Sequence, residues 1–327
     1  MDLTQAYDAE LVAGLQALPI EALKIWDDLP TARKFGEQML ATMMAGIPDS
    51  PHVVKEDRVV PGPQGAPEVP IRVYRPVEGP STLPGLFWIH GGGYVLGSIQ
   101  QDDLMMQHIV EAVGCMVVSV EYRLAPEHPF PAPLEDCYAA LKWMTHHAME
   151  LGVDPTRIAV GGESAGGGLA AGLVLLTRDR GEVAVAFQLL IYPMIDDRDA
   201  TASSEAFADA PIWSRQDNRN GWRAYVGDAA GGANVSPYAA AARATDLSKL
   251  PPTYIAVGSH EVFLDEDVEY ALRLARADIP VELHVYPRAF HGWDALAPTA
   301  AISQRFAADR DQALKRALYP LSSSSNS

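Results

Sequence analysis

The stretch Val160-Gly161-Gly162-Glu163-Ser164-Ala165-Gly166-Gly167-Gly168 leaves this chain few ways to fold. It follows an apolar run over 157–160 and precedes a small-residue helical pattern over 168–176, so Ser164 falls where a strand turns sharply into a helix. Gly162-Glu163-Ser164-Ala165-Gly166 fits the Gly-x-Ser-x-Gly elbow. Such a turn is so tight that a Cβ two positions before or after the serine would collide with neighbouring backbone, which is why both places hold glycine. The Ser164 hydroxyl is thereby pushed into the open above a sheet, beside the positive end of the next helix. A serine at that point also reads as a plain helix N-cap. The motif gains its weight from matching features elsewhere, in the right order.

Hydrophobic periodicity supplies the frame. Apolar residues at helical spacing between Leu3 and Met44, among them Leu11, Leu15, Leu18, Ile25, Trp26, Phe35, Met39 and Met43, predict two or three short amphipathic helices. Strand patterns follow over 53–61 and 69–74, then an apolar run over 83–90 that ends at Gly91-Gly92-Gly93, then helix over 101–113. From there strands at 115–122, 157–160, 186–192, 253–257 and 281–286 alternate with helices at 134–151, 164–177, 265–277 and 299–318. Strand and helix in alternation imply an α/β fold with a mostly parallel central sheet flanked by helices. The Ala-rich stretch 196–250, with Trp213, Trp222 and Tyr225, breaks the rhythm and reads as an insertion folded over the carboxyl edge of the sheet together with the N-terminal helices. The expected organisation is a helical cap part at 1–50, a main domain at 51–320 that carries the 196–250 insertion, and a disordered serine-rich tail at 321–327.

Composition narrows the partners. With 25 basic against 42 acidic residues the formal charge is −17, which repels nucleic acid and anionic membrane surfaces. No segment approaches 18 uninterrupted apolar residues, and Met1 to Glu10 is acidic without the basic-then-apolar order of a signal peptide, so cytoplasmic residence is the default expectation. Cys115 and Cys137 each lie among apolar neighbours, where buried free thiols are expected and neither a disulfide framework nor a zinc site is.

Open α/β sheets place their chemistry in loops beyond the carboxyl ends of the strands. His90-Gly91-Gly92-Gly93-Tyr94, Ser164, Glu261 and His291 each fall just after an expected strand. Serine needs an adjacent base, the base an orienting acid, and a tetrahedral oxyanion fixed N–H donors. His291 supplies the imidazole suited to proton shuttling near neutrality. His146 and His147 are neighbours on a helix and point about 100° apart, so they cannot share a ligand. His52, His108 and His284 lack partners by pattern and read as structural. Glu261 is the first carboxylate after strand 253–257 and takes the orienting role, with Asp265 the fallback. Asp265, Glu266 and Asp267 crowd a helix start, where acids offset the end charge in any case. Gly92 and Gly93 present backbone N–H groups, joined by that of Ala165. No lysine follows either glycine cluster as a phosphate-binding P-loop requires, and the Gly166-x-Gly168-x-x-Ala171 pattern lies inside a helix, past the turn a dinucleotide site would use.

Taken together, His90-Gly91-Gly92-Gly93, Tyr122-Arg123-Leu124-Ala125-Pro126-Glu127, Gly162-Glu163-Ser164-Ala165-Gly166-Gly167, Gly258-Ser259-His260-Glu261-Val262-Phe263-Leu264-Asp265-Glu266 and Phe290-His291-Gly292 resemble the hormone-sensitive lipase family of α/β-hydrolases, to which the bacterial family IV esterases belong. The resemblance runs from about Val53 onward. It implies hydrolysis of small carboxylic esters, usually of short acyl chain, without metal or organic cofactor. It also implies a triad of Ser164, Glu261 and His291, oxyanion donors at Gly92, Gly93 and Ala165, and a homodimer through strand 281–286. Two positions depart from the family pattern: the acid is more commonly aspartate than Glu261, and aspartate is frequent where Glu163 stands. Tyr94, Trp213, Trp222, Tyr225, Trp26 and Phe35 are the aromatic candidates for a substrate pocket, with core packing the competing role for each. An amidase or deacetylase with the same triad is the neighbouring activity. A non-catalytic receptor on the same fold is disfavoured because all three triad positions are filled.

Overall fold

The computed structural model describes residues 3–17 and 25–320; the helical position expected at Leu18 and the expected tail 321–327 lie outside them. Eight strands form one sheet: β1 (Val53–Val60), β2 (Val69–Pro76), β3 (Leu83–Ile89), β4 (Met116–Val120), β5 (Val153–Glu163), β6 (Phe187–Ile191), β7 (Thr253–Gly258) and β8 (Val281–Tyr286). Their order is β1-β2-β4-β3-β5-β6-β7-β8. β1 pairs with β2 and β2 with β4 antiparallel, and every later pairing is parallel. β3, β4, β6 and β7 are buried along their whole length, the mark of strands covered by helices on both faces, whereas β1, at the end of the sheet, leaves Glu56, Asp57 and Val59 exposed.

The helices are α1 (Leu3–Ala6), α2 (Ala9–Gln16), α3 (Leu29–Met44), α4 (Asp103–Val113), α5 (Ala132–His146), α6 (Ala148–Leu151), α7 (Ala165–Arg180), α8 (Ala202–Ala206), α9 (Arg215–Val226), α10 (Leu264–Arg276), α11 (Trp293–Leu296) and α12 (Ala301–Leu318). Successive residues of a strand face opposite layers. Phe87 and Ile89 thus join α5 and α7 in one core, while Leu86 and Trp88 join α4 and α12 in the other. α7 is buried from Ala165 to Thr177 and lies close to its neighbours. A Cβ at Gly168 would stand 2.1 Å from the Met194 carbonyl oxygen.

Several elements differ from their sequence patterns. The strand expected over 157–160 extends to Val153–Glu163, because Leu83 of β3 pairs with Val153 below the apolar run, and Ile89 of β3 and Ile191 of β6 pair with Gly162 and Glu163 above it. The helix expected over 134–151 breaks at His147 into α5 and α6, and that expected from Gln101 opens as a 3-10 turn, Ile99–Asp102. The N-terminal segment divides. α2 buries Leu11, Val12 and Leu15 in the core and meets the backbone at Leu296, whereas α3 buries none of its residues, leaving Phe35 and Met43 exposed.

α3 is held instead by polar contacts. The Arg33 guanidinium clasps Glu127 through both terminal nitrogens at 2.7 and 2.8 Å and donates to the carbonyls of Val95 and Ala125. Just before α3, the Trp26 indole donates to Asp217 at 2.7 Å. In the insertion, Ser214 and Asp217 form a reciprocal capping box at the start of α9.

Candidate active site

Ser164 sits at the carboxyl end of β5 with φ 53° and ψ −122°, a conformation that costs a non-glycine residue about 1–3 kcal/mol. The surroundings fix it. Its N–H donates to Ile191, and its carbonyl accepts from both Gly168 and Met194, each at 2.9 Å. A Cβ at Gly162 would lie 2.3 Å from the Gly166 oxygen and one at Gly166 2.1 Å from the Ile89 oxygen, so both collisions are with rigid backbone.

Parallel register sets the carboxyl ends of β5, β6, β7 and β8 side by side, and the loops after β5, β7 and β8 bring three side chains into one line. Ser164 Oγ lies 2.8 Å from His291 Nε2, and His291 Nδ1 lies 2.6 Å from Glu261 Oε2. A carboxylate only accepts, so Nδ1 carries the hydrogen and Nε2 is left to receive one from the serine. The other Glu261 oxygen accepts the Gly258 N–H at 2.7 Å, leaving the carboxylate no free rotation. Glu261 is fully buried, and Ser164 and His291 nearly so. Asp265 is occupied elsewhere, accepting the Ser203 N–H at 2.7 Å and so tying α8 to α10.

The loop after β3 is built to hold an unusual backbone path. Gly92, Gly93 and Tyr94 have φ of 120°, 60° and 66°. Leu96 donates back to the Gly92 carbonyl at 2.8 Å. His90 is buried, which pushes its imidazole down to about 4 and keeps it neutral. Its Nδ1–H donates to the Gly91 carbonyl at 2.8 Å, while its own carbonyl accepts from Tyr122 at 2.9 Å. Ala165 is the first residue of α7, so its N–H has no carbonyl a turn earlier to bond.

The aromatic candidates separate into groups. Trp213 lies directly on the glycine loop, since a Cβ at Gly93 would be 2.1 Å from its ring, and it stands 6.4 Å from Trp26. Tyr94 stacks on Tyr225 at 4.0 Å, tilts against Trp222 at 5.3 Å and donates to the Met194 carbonyl, so these three pack α9 onto the loop. Phe35 stands exposed on α3. Cys115 and Cys137 are buried free thiols.

Sequence reasoning noted Glu163 but missed the half-buried cluster of carboxyl groups that it joins beneath the site. Glu163 Oε1 accepts from Gln101 at 3.2 Å, and Tyr192 Oη lies 3.3 Å from Glu163 Oε2 and 2.8 Å from Asp294 Oδ1. Asp102, close by, accepts the Trp88 indole N–H at 2.6 Å. The Tyr192 ring meets His291 edge-on at 4.7 Å. Asp294 three residues past the histidine, and Tyr192 one past a buried strand, were the available signals. Two histidines that lacked partners by pattern do have them: His108 lies 2.7 Å from Asp311 and His284 2.9 Å from Glu282, pairings made by tertiary contact and by strand geometry. Among the described residues no helix is long and apolar enough to cross a membrane, and no group of three or more His, Cys, Asp or Glu is placed to hold a metal ion.

Comparison with known proteins agrees with this architecture. The α/β-hydrolase fold family matches residues 86–295. Carboxylesterase NlhH of Mycobacterium tuberculosis (strain CDC 1551 / Oshkosh) is 39% identical over 276 residues, covering 82% of this chain and 84% of its own. Esterase LipI of Mycobacterium tuberculosis (strain ATCC 25618 / H37Rv) is 37% identical over 295 residues, 89% of each chain. Among solved structures, a bacterial heroin esterase superposes with a TM-score of 0.91 at 45% identity, covering 96% of this chain and 98% of that one. Esterase LipW from Mycobacterium marinum gives 0.82 at 35% identity, covering 98% of each. With the elbow, the parallel sheet and these relatives in agreement, the chain belongs to the α/β-hydrolase family, among its carboxylic-ester hydrolases of the hormone-sensitive lipase type.

Proposed function

We propose that this enzyme hydrolyses short-chain carboxylic esters through a Ser164–His291–Glu261 triad and an acyl-enzyme. The observation that carries the reading is the unbroken line from Ser164 Oγ to His291 Nε2 at 2.8 Å and from His291 Nδ1 to Glu261 Oε2 at 2.6 Å. His291 takes the hydroxyl proton as Ser164 Oγ attacks the ester carbonyl, and Glu261 holds the tautomer and steadies the imidazolium. The N–H groups of Gly92, Gly93 and Ala165 receive the oxyanion. The imidazolium then protonates the leaving alcohol. Water, deprotonated by His291, attacks the acyl carbon and releases the acid and the free serine.

The walls support small acyl groups. Trp213 closes the space beside Gly93, and Tyr94, Trp222 and Tyr225 fill the volume behind it. Residues 196–250 and α3 serve as the cap in this reading. β8 lies at the end of the sheet with Val285 exposed, an edge on which a second copy can add its own strand. Ser164→Ala tests the function: hydrolysis of p-nitrophenyl acetate and butyrate falls by at least about 10³-fold, and near-normal turnover by the variant rules the triad out.

A further inference from the structure

The chain Glu163, Tyr192 and Asp294 poses a proton-counting problem that its distances solve. Tyr192 Oη is within reach of two carboxyl groups, at 2.8 Å from Asp294 and 3.3 Å from Glu163, yet a phenol has one hydrogen to give. The shorter contact takes it. The longer contact is then a bond only if the hydrogen comes from the carboxyl side. On its other oxygen Glu163 accepts from the Gln101 amide, as a carboxylic acid's carbonyl oxygen does.

We propose that Glu163 works as a neutral carboxylic acid whose Oε2–H donates to Tyr192, which donates in turn to Asp294, and that this chain positions the catalytic histidine and the glycine loop on the elbow. The links reach each part. Glu163 immediately precedes Ser164, and its side chain lies under the glycine loop, where a Cβ at Gly91 would be 3.2 Å from it. The Tyr192 ring edges against the imidazole of His291. Asp294 stands in the first turn of α11, three residues past His291, and accepts from Tyr192 there. Glu163, Tyr192 and Gln101 are therefore positioning residues that act through others.

The electrostatic setting agrees. Burial raises Glu163 well above the ordinary carboxyl range, and the charges of Asp102 and Asp294 push it further. Asp102, before α4, is pushed up to about 7 by burial. Asp294 in α11 is raised by burial too, though Tyr192, Arg310 of α12 and His291 oppose the rise. Asp103 bears on Asp102 and Glu261 on Tyr192, while the contacts with Tyr192 and Gln101 oppose the rise at Glu163.

The inference rests on the Ser164–His291 reading but is tested apart from it. Glu163→Gln keeps a donor toward Tyr192 and an acceptor toward Gln101, while Glu163→Leu keeps neither. The expected result is a loss in kcat on the order of tenfold for Leu, most of it restored by Gln, with KM little moved in either. A folded Gln variant as impaired as Leu overturns the proposal, because only an ionised Glu163 needs two acceptor oxygens. Melting temperature against pH involves no substrate. A folded-state pKa above the unfolded one gives stability that is present at low pH and lost as pH rises through the folded value. The wild type is expected to lose melting temperature more steeply than Glu163→Gln as pH rises beyond the ordinary carboxyl range; parallel curves overturn the proposal whatever the activity of Ser164→Ala. If the position 163 variants do not fold, Tyr192→Phe breaks the same chain: its kcat falls on the order of tenfold, and an unchanged kcat refutes the role.

Discussion

Glu261 grips His291 from one side only, with Oε2 2.6 Å from the imidazole Nδ1 and Oε1 held by the Gly258 N–H. Glu261→Gln places an amide at the imidazole and favours the wrong tautomer, so kcat should fall by about 10²- to 10⁴-fold with the fold intact. Asp265→Asn, which weakens the tie to α8, should lower the melting temperature while kcat stays within about threefold. Activity and thermal unfolding of the pair, measured side by side, check the assignment; the reverse pattern moves the acid role to Asp265.

Gly93 and Trp213 should behave as a coupled pair. A methyl at Gly93 meets the Trp213 ring at 2.1 Å and sits at φ 60°, so Gly93→Ala should lower kcat/KM on the order of 10²-fold. Adding Trp213→Ala removes the clash but not the backbone strain, and part of the activity should return. Trp213→Ala alone should move the preferred p-nitrophenyl ester toward longer acyl chains. A double-mutant cycle across acetate, butyrate and octanoate esters measures both effects.

Arg33 fastens a helix that has no buried residue of its own. An exposed ion pair of this kind is worth about 0–1 kcal/mol, so Arg33→Ala should leave the melting temperature nearly unchanged. Its effect should be local: amide hydrogen exchange in α3 should speed up while β3 and β5 stay protected.

Asp267 is buried with neither carboxyl oxygen hydrogen-bonded to another described residue, and burial together with Glu266 and Glu261 raises its pKa well above the usual carboxyl range. A raised folded pKa means stability that is complete at low pH and drains away as pH climbs through it. Asp267→Asn removes that titration. The variant should therefore gain on the wild type in melting temperature as pH rises from acid toward alkaline, and a gap that narrows instead would show that Asp267 is ionised in the fold.

The sequence showed most where one rule dominates. Strict backbone sterics at Gly162 and Gly166 announced the elbow, and mostly apolar runs announced β3, β4 and β7, because a strand covered on both faces holds few polar residues. Ser164, His291 and Glu261 were legible as residues at strand ends, and their convergence followed from parallel pairing. What escaped notice depends on side chains meeting across the chain. The apolar spacing of α3 suggested a buried stripe, but the helix is moored by Arg33 and leaves Phe35 exposed. Glu163, Tyr192 and Asp294 belong to three separate segments, and no periodicity marks a hydrogen-bonded chain. His108 found Asp311 in the same way, across about two hundred residues of sequence.

The account stands on a covalent bond to one oxygen. Enzyme quenched in acid during turnover of p-nitrophenyl butyrate and digested for mass spectrometry should carry a butyryl group on the peptide containing Ser164, together with a burst of p-nitrophenol equal to the enzyme present. Steady turnover with Ser164 unmodified at every time point, and the acyl group absent or on another side chain, would contradict it.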